Sequence, residues 1–246
     1  MKLIINAEKI KKLVLDQVSM QVGASEFVSI MGPSGSGKST LLFCLAGMDS
    51  IESGSLTFEE IDLVQAGEGE LAKLRRTRMG FVFQQATMLR NLSLYDNIIL
   101  AAMTQKTSRI DKKEYEAKIR SRAELFMKKM DIWELRDRAI TKVSGGQLQR
   151  ASICRAMMNE PSILFADEPT GALNSKMTED IMEILTQLNR EGTAVLLVTH
   201  DKRVAAHSKR VIFLKDGKIA DDVSFSDEEQ GMKEEIISKK MSGMGI

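Results

Sequence analysis

The chain has 246 residues, a length that suits one to two domains and a sizeable core. Its 35 basic residues nearly balance its 34 acidic ones, so a dedicated nucleic-acid binder is not expected. An apolar share of 43% and two cysteines in all exclude the disordered and disulfide-rich classes. We expect Cys44 and Cys154 to be buried, reduced thiols. No apolar run approaches the roughly 20 residues that cross a bilayer, and the early charges of the first eight residues do not suit a signal peptide.

Short apolar runs bounded by turn residues predict buried strands along the chain. Most of them lack polar alternation, which is typical of a parallel sheet covered on both faces. Helical patterns over Ser39–Ala46 and Thr178–Asn189 lie between some of the runs, so the order suggests βαβ units. The last run opens a predicted hairpin over Val211–Ile219, because Asp-Gly suits a tight type I′ turn. The runs are Phe27–Met31, Phe81–Phe83, Ile163–Ala166, Ala194–Val198 and Val211–Leu214.

The stretch from residue 86 to residue 141 is polar and helical in pattern. Within it Tyr115, Ile119, Phe126 and Met130 form one apolar stripe. Between residues 106 and 138, eleven basic and seven acidic residues give a local net charge of +4. A solvated helix face is the simplest interpretation, and a docking or membrane-adjacent face is the alternative. The charged tail from residue 224 to residue 246 is expected to pack loosely.

A phosphate-binding loop is the strongest single motif. It fits the pattern G-x-x-x-x-G-K-[ST] between a predicted strand and a predicted helix. The glycines let successive N–H groups point at phosphate oxygens, and the helix adds its positive N-terminal end. We expect Lys38 to reach the β- and γ-phosphates and Ser39 to ligate Mg²⁺. The candidate nucleotide-binding residues are Gly32, Pro33, Ser34, Gly35, Ser36, Gly37, Lys38, Ser39 and Thr40.

Two acids follow the apolar run Ile163–Ala166. Acids at the carboxyl end of a buried parallel strand lie at the ligand crevice of an open α/β sheet. Asp167 is therefore expected to hold Mg²⁺, directly or through water, and Glu168 to orient and polarise an attacking water.

A second glycine motif, Ser-Gly-Gly-Gln-Leu-Gln-Arg over residues 144–150, precedes these acids. Together with the phosphate loop, it resembles the signature of ATP-binding-cassette (ABC) ATPases. Its glycines and the following helix start would offer N–H groups to a phosphate. The resemblance covers residues 26–222 and implies that Ser144, Gly145, Gly146 and Gln147 bind ATP.

The resemblance assigns two more residues to the reaction. Gln84 is similar to the Q-loop glutamine, which touches Mg²⁺ and the attacking water, and His200 to the switch histidine, which contacts the γ-phosphate. The implied catalytic set is Lys38, Gln84, Glu168 and His200, and the implied magnesium set is Ser39, Gln84 and Asp167. His207 has no such placement and is expected at the surface.

The resemblance also implies the fold and the assembly. The expected fold is α/β: a P-loop NTPase core of mainly parallel sheet with an antiparallel β subdomain, at residues 1–85 and 142–223. A helical subdomain would occupy residues 86–141, with the signature at its end, and a tail residues 224–246. Each ATP would be sandwiched between two subunits of a head-to-tail homodimer.

Two departures from the family stand out. Residues 7–15 lack the aromatic that stacks on adenine, so we predict modest ATP affinity and little preference for ATP over GTP. Asn174 replaces an aspartate of the family loop, and it is either a tolerated variant or one that weakens coupling between the two sites.

The stretch from Phe165 to Leu173 resembles exporter ATPases of the lipoprotein-release and macrolide-export class. Residues 198–201 and 210–217 look most like its bacitracin-efflux, antimicrobial-peptide-resistance branch. The chain is then expected to be cytoplasmic, bound to the inner face of the membrane, and to power a separate permease. A regulatory cassette that signals through its membrane partner to a sensor kinase or cell-wall hydrolase is the main alternative. Cassettes of DNA repair, chromosome organisation and translation fit less well.

Overall fold

The computed structural model describes residues 1–10, 14–103 and 111–245. Ten strands lie within these ranges, and each predicted apolar run lies in one of them. The strands are β1 (Lys2–Ile10), β2 (Leu15–Gly23), β3 (Phe27–Met31), β4 (Ile51–Phe58), β5 (Ile61–Asp62), β6 (Met79–Phe83), β7 (Ile163–Asp167), β8 (Ala194–Val198), β9 (Arg210–Lys215) and β10 (Lys218–Ser224).

The strands form two sheets. The larger has the order β10-β9-β3-β8-β7-β6 and is parallel except for the edge strand β10, which pairs antiparallel with β9. The smaller sheet is antiparallel, with the order β2-β1-β4-β5. The predicted hairpin joins β9 to β10, and positive φ angles of 49° at Asp216 and 76° at Gly217 suit its type I′ turn. This is the α/β cassette fold that the motifs imply.

Eight α-helices lie within the described ranges. Both predicted helices are present, with ends shifted by one to three residues. The same ranges also contain 3₁₀ turns, at Trp133–Leu135, Ile140–Lys142 and Asp227–Met232. The helices are α1 (Lys38–Leu45), α2 (Glu68–Thr77), α3 (Leu94–Met103), α4 (Lys112–Lys129), α5 (Gly145–Met157), α6 (Ser175–Arg190), α7 (Lys202–Ala205) and α8 (Lys233–Gly243).

Helix α4 carries the predicted apolar stripe and most of the predicted positive charge. Ile119 is buried, together with Ala123 and Met127 on the same face. Its basic residues form local ion pairs, among them Lys118 with Glu114 at 2.7 Å and Lys128 with Glu124 at 2.6 Å. These pairs favour the solvated-face interpretation. Part of the positive stretch, residues 106–110, lies outside the described residues.

The tail packs more tightly than its composition suggests, so the expectation of loose packing is wrong. Ile237 of α8 is fully buried in a cluster with Val211 and Phe213 of β9. Lys233 is buried too, and its ammonium donates to the Ser208 carbonyl at 2.8 Å. One buried face of α8 therefore anchors an otherwise charged segment.

The two cysteines are buried, free thiols, as predicted. Burial raises the pKa of the Cys154 thiol, which keeps it protonated.

Candidate nucleotide-binding and hydrolysis site

The phosphate loop joins β3, whose five residues are all buried, to α1. Gly35 and Gly37 have φ angles of 80° and 98°, a left-handed backbone that favours glycine. At Gly32 the constraint is space, because a Cβ atom would stand 2.0 Å from the Leu214 carbonyl oxygen of β9. The glycine pattern therefore curls the loop and brings it against the sheet.

The described loop leaves polar groups for an anion to satisfy. Helix α1 starts after Gly37 with no side-chain cap from the described residues. Its first N–H groups have no partners within the helix, because partners exist only from the second turn onward. The Ser36 hydroxyl is buried and, among the described residues, finds no hydrogen-bond partner. Phosphate oxygens would satisfy both features, so the loop fits a nucleotide.

Lys38 lies over this loop. Its ammonium donates to the carbonyl oxygens of Gly32 at 2.9 Å and Pro33 at 2.8 Å. Burial lowers the pKa of Lys38, and the nearby charges of Glu168 and Asp167 oppose that effect. The two carboxylates thus help to keep the amine charged within reach of a phosphate.

Ser39 lies at the start of α1 and Asp167 at the end of β7. The Ser39 hydroxyl donates to the Asp167 carboxylate at 2.8 Å. This pair fits Mg²⁺, which takes one or two protein oxygens and completes its shell with water and substrate phosphates. The described residues contain no cluster of three or more His, Cys, Asp or Glu side chains that could hold a metal without a nucleotide.

Glu168 follows Asp167 and has a strained backbone. Its φ angle is 47°, and its N–H donates to the Val198 carbonyl oxygen at 3.0 Å. Its side chain is 17% exposed, and its Oε1 atom lies 2.8 Å from Nδ1 of His200. The carboxylate is therefore sheltered but reachable, and it is oriented by the histidine that sequence analysis singled out.

The neighbouring strands β6, β7 and β8 each have a polar side chain at or just after their carboxyl end: Gln84, Asp167 and His200, respectively. Parallel strands end on one edge, so the sheet brings these side chains to one crevice together with the phosphate loop. Gly171 completes the arrangement, because a Cβ atom there would stand 2.8 Å from Nε2 of Gln84. Gly171 was not predicted as a functional residue; its place three residues after Glu168 was the available signal.

The signature motif caps α5. The Ser144 hydroxyl accepts a hydrogen bond from the Gln147 N–H at 3.3 Å, and the Gln147 side chain accepts one from the Ser144 N–H at 2.9 Å. The Gln147 N–H is thus used within the cap, whereas the Gly145 and Gly146 N–H groups open the helix. Gly146 also permits close packing, since a Cβ atom would stand 3.0 Å from Sδ of Met177.

The signature faces a cleft of its own. A cavity of about 200 Å³ is lined by Ser144, Gly146 and Met177 among others, and no residue of the phosphate loop lines it. Among the described residues, the signature therefore lines a cavity to which the phosphate loop does not contribute.

Two further predicted features have different outcomes. His207 lies at the surface with its side chain 23% exposed, and its Nε2 atom lies 3.6 Å from the Glu179 carboxylate of α6. The predicted lack of base selectivity depends partly on residues 11–13, which lie outside the described residues. It stays a prediction.

Comparison with known proteins agrees with this architecture. The family model described as "ABC transporter" matches residues 15–171. The bacitracin export ATP-binding protein BceA of Halalkalibacterium halodurans is 42% identical over 219 residues, which cover 89% of this chain and 84% of that protein. The macrolide export ATP-binding/permease protein MacB of Shewanella sp. is 40% identical over 209 residues, covering 85% of this chain but 31% of MacB.

A solved structure, described as the dimeric post-hydrolysis state of an ATP-binding cassette bound to ADP and Pi, superposes with a TM-score of 0.81. It is 36% identical, and the match covers 92% of this chain and 99% of that one. The chain therefore belongs to the ABC transporter family. It is an ATP-binding cassette that hydrolyses ATP. No helix among the described residues is long and apolar enough to cross a membrane.

Proposed function

We propose that this cassette powers a separate membrane permease that exports antimicrobial peptides of the bacitracin type. The 42% identity with a bacitracin export ATP-binding protein, over most of both chains, carries this proposal. MacB supports the pairing of a cassette with a permease, because its name joins ATP-binding and permease functions and this chain matches 31% of it. The cassette would then be a cytoplasmic protein held at the inner face of the membrane by its permease.

In this proposal the phosphate loop binds the triphosphate of ATP. The N–H groups at the start of α1 and the Ser36 hydroxyl donate to phosphate oxygens. Lys38 would exchange its two carbonyl acceptors in the loop for the β- and γ-phosphates. Ser39, Asp167 and Gln84 would hold Mg²⁺, which when bound supplies positive charge to the phosphate oxygens.

Glu168 is the group best placed to orient the attacking water. It stands one residue after Asp167, and its carboxylate is sheltered from bulk solvent. Gln84, on the neighbouring strand end, would position the same water from the other side. His200, whose ring Nδ1 is within hydrogen-bond distance of Glu168, would hold the carboxylate and donate toward the γ-phosphate.

The position of the signature supports a role for a second chain in this proposal. Ser144, Gly145 and Gly146 carry donors suited to a phosphate, and the cavity that Ser144 and Gly146 line contains no residue of the phosphate loop. A head-to-tail homodimer would place each signature on the ATP bound by the other chain. Closing of the dimer on ATP and reopening after hydrolysis would then move the permease.

The helical segment is the proposed link to that permease. We assign residues 86–141 to a helical subdomain, because α3 and α4 pack together and against α5, which carries the signature. Residues 1–85 and 142–223 would form the nucleotide-binding core with its antiparallel subdomain.

Purified cassette reconstituted in vesicles with a candidate permease from the same organism tests the proposal. We expect bacitracin to stimulate ATP hydrolysis above the basal rate, and a macrolide to leave the rate unchanged. Stimulation by the macrolide alone would contradict the peptide assignment. Peptide binding without any change in ATP hydrolysis would instead support the regulatory alternative, which the relatives do not otherwise favour.

A further inference from the structure

The signature helix α5 holds both ends of the short segment that carries Gln84. At one end, Nε2 of Gln149 donates to the Phe83 carbonyl oxygen at 3.1 Å. At the other end, the Arg155 guanidinium donates to the Thr87 carbonyl oxygen, and its second amino group lies 3.5 Å from the Thr87 hydroxyl. Three residues, 84–86, separate these two anchors.

Breaking the hydrogen bonds that Gln149 and Arg155 make to this segment costs free energy. Gln149 is 3% exposed, so loss of its amide would leave the Phe83 carbonyl oxygen without that donor in a nearly dry environment. Burial also lowers the pKa of Arg155, which reports a guanidinium removed from much of its hydration. Arg155 is partly buried, so its bonds to Thr87 help to replace the hydration that its guanidinium has lost.

The Gln84 side chain lies between the two anchors and is accessible to a nucleotide. It is exposed, and its amide packs against Gly171, three residues beyond Glu168. The same helix that anchors the segment begins at Gly145 and Gly146, the proposed phosphate donors. A helix of 13 residues is a rigid element, so a shift of its N-terminus would be passed to Phe83 and Thr87.

We propose that Gln149 and Arg155 are positioning residues that make the location of Gln84 depend on the location of the signature. Docking of the signature on the partner's nucleotide would then set Gln84 for hydrolysis in its own site. This inference rests on the role proposed above for Gln84.

A double-mutant cycle with the full-length chain tests it. Gln149→Leu removes the donor at similar volume, and we expect kcat to fall about fivefold to tenfold. KM for MgATP should change by less than about twofold, since the phosphate loop is untouched. Gln187→Leu is the matched control and should match the wild type, because the Gln187 amide donates to the exposed carboxylate of Glu191 at the end of α6.

The decisive comparison combines Gln149→Leu with Gln84→Ala. If Gln149 acts through Gln84, the double variant will be no slower than Gln84→Ala alone. Arg155→Met should show the same non-additivity in kcat when it is combined with Gln84→Ala. Arg155→Lys should recover part of the kcat that Arg155→Met loses. If the decreases in kcat are instead additive, the inference is wrong, but the proposed role of Gln84 is unaffected. A Gln84→Ala variant as fast as wild type would overturn that role and the inference with it.

Discussion

Nδ1 of His200 lies 2.8 Å from Oε1 of Glu168, across the ends of two neighbouring parallel strands. The contact joins the residue proposed to orient water to the residue proposed to contact the γ-phosphate. His200 is 71% exposed, so its ring can approach a bound nucleotide without disturbing the core. Loss of the imidazole should therefore impair hydrolysis.

His200→Ala should lower kcat by about 100-fold, the scale of a lost proton-transfer or orienting group. Nucleotide binding should survive, because Lys38 and the loop amides remain in place. Steady-state ATP hydrolysis and a fluorescent-nucleotide titration separate the two effects. His207→Ala is the matched control and should hydrolyse ATP normally. A His200→Ala variant with wild-type kcat would remove His200 from the mechanism.

Gly171→Ala should impair hydrolysis without unfolding the chain. The new Cβ atom would meet the far end of the Gln84 side chain, which can move away at little cost to stability. Gln84 would then be displaced from the crevice, and we expect kcat to fall while the melting temperature stays constant. Gly67→Ala is the control, since nothing lies within 4 Å of a Cβ atom there. Equal kcat values for the two variants would argue against a close Gly171–Gln84 contact.

Asn174 caps helix α6 by accepting a hydrogen bond from the Met177 N–H at 2.9 Å. Asn174→Ala should therefore reduce the free energy of unfolding by about 1 kcal/mol, whereas Asn174→Asp should keep it, because aspartate caps equally well. We expect Asn174→Asp to leave both the ATPase rate and its cooperativity unchanged. Denaturant unfolding and ATP titration check the two parts. Increased cooperativity in Asn174→Asp would show that the missing charge weakens coupling.

The C-terminal helix should be a stabilising part of the fold. Ile237→Ala should reduce the free energy of unfolding by about 2–4 kcal/mol, as expected for a large-to-small change in a packed core. Met232→Ala, at an exposed methionine, is the control and should change it by less than about 0.5 kcal/mol. A negligible effect of Ile237→Ala in urea unfolding would restore the picture of a loosely packed tail.

Elements with strong local signals were predictable from the sequence. Apolar runs without alternation gave the central strands, and Asp216-Gly217 gave the hairpin, because each pattern has few physical solutions. The position of Asp167 at the end of β7 was predictable because it directly follows the apolar run Ile163–Ala166. These features depend on neighbours in the chain.

Features that depend on distant partners were not predictable. The burial of Lys233 requires the Ser208 carbonyl oxygen, 25 residues away, and nothing in a charged tail indicates that partner. The contact of Gln149 with Phe83 spans 66 residues and joins two segments whose packing only the fold defines. Local patterns cannot specify such pairs, because the same residue types are ordinary on a solvated surface.

In the proposed mechanism, two chains enclose ATP between the phosphate loop of one and the signature of the other. Glu168→Gln removes the carboxylate and should trap this state at millimolar MgATP. Light scattering after size-exclusion chromatography should then give twice the single-chain mass of 27.4 kDa. Adding Ser144→Arg to Glu168→Gln should block the interface and return the single-chain mass. A Glu168→Gln chain that binds MgATP yet stays at 27.4 kDa would contradict the account.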